Sequence, residues 1–261
     1  MKRIMIIGFM ILLVFLQGCE KYEMVDYGEG GEINFMGRFQ SGSKYYWSDD
    51  EKYLEWKRNF GVNKLGDSLL LDTMIVGVKI MGIKADHPRK VVLKSNPPKE
   101  NALEVIFPEE YYVSADTGIA SFKVLVKRPA TQNVTYTTEL VFDYAQSDFK
   151  AGTEERQVFK LVAEDKVSLE LWGITEEYWE YEPVMFFGAW SETKMRYMIT
   201  MLGCTNFEAW YYADDSFWEA IMGNILYETL EEYKSDPSNP PLLDENTGEW
   251  IEFPDLSELL G

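Results

Sequence analysis

Apolar residues follow three rhythms along this chain. The first is a block. Ile4 to Leu16 is an uninterrupted apolar run of 13 residues, preceded by Lys2 and Arg3 and followed by Gln17-Gly18-Cys19. That is the length of a secretion-signal core, and it falls short of the roughly 20 residues that span a bilayer. The second rhythm is alternation. Between residues 68 and 163, short runs rich in Val, Ile, Phe and Tyr are divided by Asp86-His87-Pro88, Ser95-Asn96-Pro97-Pro98 and Ala115-Asp116-Thr117-Gly118. In Ser121–Lys127 the apolar Phe122, Val124 and Val126 largely alternate with polar positions, as in a half-buried strand. A series of such runs predicts an Ig-like β-sandwich, with a small barrel as the structural alternative. Ile33 to Phe39 adds a short strand upstream.

The third rhythm has helical spacing. Ser191 stands as N-cap to a helix reaching Leu202, with Met195, Met198, Ile199 and Leu202 on one face and Gly203 at the C′ position. Ser216-Phe217-Trp218-Glu219 is a capping box opening a helix to about Tyr233, with Leu226 and Leu230 toward the core. Asp236-Pro237 through Pro240-Pro241 ends it, and Trp250–Phe253 is a final extended segment. Ser48 to Asn59 also reads as a capped surface helix, acidic at its start and basic at its end. The predicted organisation is a signal peptide over 1–18 and a tether over 19–43. A sandwich with an N-terminal aromatic helix follows over 44–165, then a smaller Trp-rich helical region over 166–261. The expected class is mainly β with an α-helical C-terminal part.

Leu16-Gln17-Gly18-Cys19 changes this picture. A small residue before a Cys, directly after a signal core, is the pattern at which a peptidase cuts and the Cys thiol takes a diacylglycerol. Each buried methylene adds about 0.8 kcal/mol of membrane affinity, so several chains on Cys19 make a stable anchor. The net charge is −19, and losing Lys2 and Arg3 makes the remainder two charges more negative. Such a body repels nucleic acid phosphates and gains solubility. Cys204 is then the remaining thiol, which leaves no intramolecular disulfide and no cysteine-based metal site. Its apolar neighbours, Met201-Leu202-Gly203, suit a buried structural Cys more than a reactive one.

Catalytic motifs are scarce. His87 is the single histidine and sits in a turn. There is no Gly-x-Ser-x-Gly, Walker loop, His-Glu-x-x-His or dinucleotide fingerprint. No cofactor and no metal are expected, and Asp143 and Asp148 lack EF-hand spacing. Paired carboxylates remain open, since glycosidases need only two; Asp214, Asp215 and Glu219 lie beside Trp210, Tyr211, Tyr212 and Trp218. Six of the eight Trp follow residue 164. Sugars stack on such rings, and cores bury them. Trp172, Tyr178, Trp179 and Tyr181 flank an acidic stretch and are the candidate ligand-stacking platform. Trp190, Trp210 and Trp218 read as core.

Asp72-Thr73 leading into Val78-Lys79-Ile80-Met81-Gly82, then Arg89, then Phe187-Gly188-x-Trp190-Ser191-x-x-Lys194-x-Arg196 and Gly203, carry a resemblance. Over roughly residues 30–255 the chain resembles a family of surface lipoproteins of Bacteroidetes classed as a domain of unknown function. The acidic Glu20, Glu23, Asp26 and Glu29 after Cys19 also resemble the export signals of such lipoproteins. The resemblance implies an accessory role beside SusC/SusD-like outer-membrane uptake systems and assigns no catalytic residues. The expectation is a non-catalytic lipoprotein, anchored in the outer membrane and facing the cell surface rather than the periplasm. It would engage a glycan or a SusC/SusD-like partner protein and no nucleic acid. A carboxylate-dependent glycosidase and a structural adhesin are the alternatives.

Overall fold

The computed structural model describes residues 31–203, 205 and 216–257. Cys19, the tether up to Glu29, Cys204, Trp210, Asp214 and Asp215 lie outside the described residues, as do the side chains of Phe217, Trp218 and Glu219.

The chain is mainly β, with its helices toward the C-terminus. The larger sheet has the order β11-β1-β4-β9-β7: Lys150–Ala151, Glu32–Ser41, Leu71–Met81, Ile119–Lys127 and Val105–Ile106. β2 (Lys44–Ser48) forms a hairpin with the outer half of β1. A second sheet has the order β3-β12-β10-β6: Glu55–Asn59, Val158–Glu164, Tyr136–Phe142 and Leu93–Asn96. β5 (Arg89–Val91) and β8 (Tyr111–Val113) pair separately.

The alternation in the sequence decides which faces are buried. Phe122, Val124 and Val126 of β9 point inward; on β4 it is Met74, Val76, Val78 and Ile80. They share one core with Leu140, Phe142, Phe159 and Leu161 of the second sheet. Phe35 of β1 bridges the two, stacked on Phe142 at 4.1 Å between ring centroids and tilted on Phe159 at 5.9 Å. Buried aromatic pairs of this kind add about 0.5–1.5 kcal/mol beyond their area.

Two expectations change here. The short strand expected over Ile33–Phe39 is present as β1, but with Ile33 and Phe35 fully buried it belongs to the folded body and not to the tether assigned to 19–43. The helix expected over Ser48–Asn59 is instead a short 3-10 turn, Glu51–Tyr53, capped by Asp50, followed by β3. β3 lies parallel to β12, and its backbone pairing along Lys160–Glu164 outweighs the weak helical charge pattern.

The helical part follows β12. It comprises α1 (Glu176–Tyr181), α2 (Pro183–Phe187), α3 (Glu192–Leu202) and α4 (Ser216–Ser235). Ser191 caps α3 as expected, its hydroxyl accepting from the Lys194 amide, and Gly203 closes it in the left-handed region. A second core gathers Trp172, Trp179, Phe187, Met195, Met198, Ile199, Leu226, Leu230, Ile251 and Phe253.

Candidate functional site

The predicted aromatic platform is not brought together on the surface. Trp172 and Trp179 are 2% and 0% exposed and belong to the helical core. Trp179 packs near Phe187 and donates its indole N–H to the Gly188 carbonyl at 3.1 Å. α1 is amphipathic, so its Trp turns inward while Glu176, Glu177 and Glu180 turn to water. Tyr178 is half-buried, with its hydroxyl 3.2 Å from Glu182. Tyr181 alone stands out, 79% exposed. One Trp in an acidic loop looks the same in sequence whether it faces core or water.

The exposed aromatic surface lies elsewhere, on the β1–β2 hairpin. Tyr46, Phe39 and Tyr53 form a row of near-parallel rings at 5.6 and 5.1 Å. On the other face the Arg38 guanidinium sits 4.0 Å from the Tyr45 ring and 5.9 Å from Trp47. Alternation along β1 and β2 puts Phe39 and Tyr46 on one face and Tyr45 and Trp47 on the other, and Tyr53 joins the first from the 3-10 turn.

Where the two parts meet, the described residues line a cleft of about 510 Å³. Its walls come from the turn Leu65–Ser68, from Gln132, from α3, from Tyr233 of α4 and from Glu245. Gly66 sits against Thr200 so closely that a Cβ there would lie 2.1 Å from its hydroxyl. This lets the turn close on α3 and sets Asp67 at the rim.

Behind the cleft lies an ionic cluster. Buried Asp165, just after β12, accepts from Arg128 Nε at 2.6 Å and Arg196 Nη1 at 2.7 Å. Arg196 also holds Glu192 at 2.6 Å, and Arg128 holds Asp67 at 2.7 Å and the Gly66 carbonyl at 2.9 Å. Burial pushes the Asp165 carboxyl up, but the two guanidinium groups outweigh it and hold it below the usual range. Burial likewise disfavours the Arg196 charge, which Glu192 and Asp165 more than restore. Glu245 accepts from the amides of Glu192 and Thr193, capping the first turn of α3. The result is an acceptor-rich lining of three fixed carboxylates and one guanidinium, alongside the apolar Leu65, Met201, Leu242 and Tyr197. Sequence reasoning missed it because its residues come from five separated stretches; only Arg196 lay within a motif it singled out.

The Gly188–Lys194 motif is explained by structure. Gly188 has φ +73° and ψ −173°, a conformation essentially restricted to glycine. Lys194 is buried and donates its ammonium to the Ala189 carbonyl at 2.6 Å, with the Phe253 ring 5.5 Å away. Burial pulls its pKa down to about 8, against the opposing pull of Asp244 and Glu252. These residues lock the turn that aims α3, and hence Arg196, at Asp165. His87 lies exposed in its turn, 2.9 Å from Asp86. Among the described residues no group of three metal-ligating side chains converges.

Fold and cleft thus define a mainly β protein whose helical C-terminal part closes a polar concavity. The chain belongs to the family described as domain of unknown function DUF4843, whose model matches residues 61–204. No curated protein matches it. Among solved structures it is similar to a candidate carbohydrate binding protein from Bacteroides ovatus, at 8% identity and TM-score 0.34 over 52% of this chain and 37% of that one. It is also similar to the apo Calx CBD1 domain, at 6% identity and TM-score 0.31, over 52% of this chain and 96% of that one. Similarity to the EndoBT-3987 enzyme of Bacteroides thetaiotamicron is at 10% identity and TM-score 0.31, over 44% and 29%. The chain spans about a third of the first and third of these, and none of the three assigns a role to a residue here.

Proposed function

We propose that this protein is a non-catalytic outer-membrane lipoprotein that binds a neutral glycan in the cleft between its β and helical parts. The reading places lipid on Cys19 and the body on the cell surface, as an accessory of a SusC/SusD-like uptake system. It treats the β part as an Ig-like sandwich. The observation that carries it is the lining of the cleft. Carboxylates and threonine hydroxyls accept and exchange hydrogen bonds with sugar hydroxyls, while Leu65, Met201 and Leu242 suit a sugar's C–H face. An anionic ligand meets three carboxylates and is disfavoured. Catalysis is not proposed. A glycosidase needs one carboxyl free to donate a proton and a second to attack or activate water. Here Asp67 and Glu192 are engaged by arginines and Glu245 by the start of α3.

Affinity electrophoresis against a panel of neutral polysaccharides tests the reading. We expect retardation by at least one neutral glucan, mannan or galactan, abolished by Gln132→Trp, which fills the cleft from its exposed rim. No retardation across the panel, or retardation unchanged in that variant, overturns it. Labelling with an alkyne palmitate, lost in Cys19→Ala, tests the anchor, and co-purification with a SusC/SusD-like pair tests the partnership.

A further inference from the structure

Trp190 belongs to the motif that carries the family resemblance, yet it lies outside the cleft. Its sequence suggested core. The ring is instead half-buried: it packs against the helical core and also walls a second concavity of about 330 Å³. Buried Leu169 and Ile174 supply the apolar lining. The chain turns sharply between them because Gly173 takes φ +74°, in the left-handed region, and the Ile174 amide returns to the Leu169 carbonyl at 3.0 Å.

The polar groups of this pocket are mixed in kind. Ser168 Oγ accepts from the Leu171 amide at 3.4 Å, and Thr175 Oγ1 accepts from the Tyr178 amide at 3.1 Å. Each hydroxyl keeps its own proton to donate. Glu170 and Glu176, both exposed, add carboxylates that only accept. An indole wall with donors and acceptors beside it suits a sugar, whose C–H face lies on the ring and whose hydroxyls both give and take hydrogen bonds. A cation would use the acceptors alone.

Two segments lead from the cleft to this pocket. Glu192 of the cleft wall stands two residues after Trp190, and two residue steps span at most about 7 Å. Ser168 follows three residues after Asp165, which holds Arg196 behind the cleft. The two concavities therefore flank one short turn, Trp190-Ser191-Glu192.

We infer that the Trp190 pocket is a second subsite for the glycan held in the cleft, so that the ligand is a neutral oligosaccharide chain laid across the Ser191 turn and not a single short sugar. This rests on the glycan reading above and adds the length of the ligand and the ring that reads its far end.

The test is isothermal titration of the full chain with the di- and hexasaccharides of glucan, mannan and galactan series. In the series that binds, the hexasaccharide should bind about tenfold or more tighter than the disaccharide, because a second contact on one chain acts at high effective concentration. Glu170→Trp fills the pocket from an exposed position and should bring the hexasaccharide down to the disaccharide's affinity, leaving the disaccharide unchanged. Trp190→Ala, which removes the ring itself, should do the same, and Gln132→Trp in the cleft should abolish binding of both lengths. Equal affinity for the two lengths in the wild type, or a gain from length that survives Glu170→Trp, overturns the second subsite and leaves the cleft reading standing. Binding of neither length in any series overturns both.

Discussion

Asp165→Asn removes the charge shared by two guanidinium groups while keeping the side chain's volume. The carboxylate holds Arg128 at 2.6 Å and Arg196 at 2.7 Å, and all three side chains are nearly withdrawn from solvent. An amide offers one acceptor oxygen in place of two and turns an N–H toward a cation. Removing one partner of a buried ion pair costs about 3–5 kcal/mol. Arg128 keeps Asp67 and the Gly66 carbonyl, and Arg196 keeps Glu192, so the lower end is expected, about 3 kcal/mol. At about 2–4 °C per kcal/mol for a body of this size, the Tm should fall by roughly 6–12 °C in a circular-dichroism melt at pH 7. The sign of the pH dependence is a second check. The folded carboxyl is held below its unfolded value, so its contribution is complete above about pH 4 and is lost as pH falls through the folded value. The gap between wild type and variant should therefore narrow below about pH 4. A Tm within about 2 °C of wild type at pH 7, or a gap unchanged at pH 3, refutes the assignment of this cluster as the joint between the two parts.

Other positions report on separate features. Gly188→Ala forces a side chain into a glycine-only conformation with Lys194 Nζ 3.0 Å from the new Cβ, and should cost about 1–3 kcal/mol in a urea titration. Lys194 has a folded pKa near 8, below its ordinary 10.5; the folded protein gives up this proton first, so stability should rise between about pH 8 and 9.5. Lys194→Met should flatten that rise, and an identical urea-midpoint profile for both proteins would count against a buried ammonium. Tyr111 and Tyr144, pushed up to about 12 by burial, act in the opposite sense above about pH 10, so the comparison stays below it. At Gly77 a Cβ would lie 2.3 Å from the Trp47 ring, so Gly77→Val should displace that indole and red-shift its emission, at a cost of about 1–3 kcal/mol.

The local rhythms carried much of this protein. Alternation in Ser121–Lys127 predicted β9 and its buried face, because a strand's side chains must alternate whatever it packs against. Ser191 and Gly203 marked both ends of α3, because the groups they satisfy lie within one helical turn. The mainly β class with helices toward the C-terminus followed from the same signals. Partner choice over long distance was not legible. Glu55–Asn59 is a strand because Lys160–Glu164 lies alongside it, more than a hundred residues later. Trp179 is core because α1 folds onto Phe187 and Gly188, and Trp172, in the preceding 3-10 turn, joins the same core. The cleft needs Asp67, Glu192, Arg196 and Glu245 in one place, held by Asp165 and Arg128. Charge and hydroxyl content are written residue by residue, but a binding surface is a property of distances. Those are decided only when two cores close on each other and ion pairs between them meet.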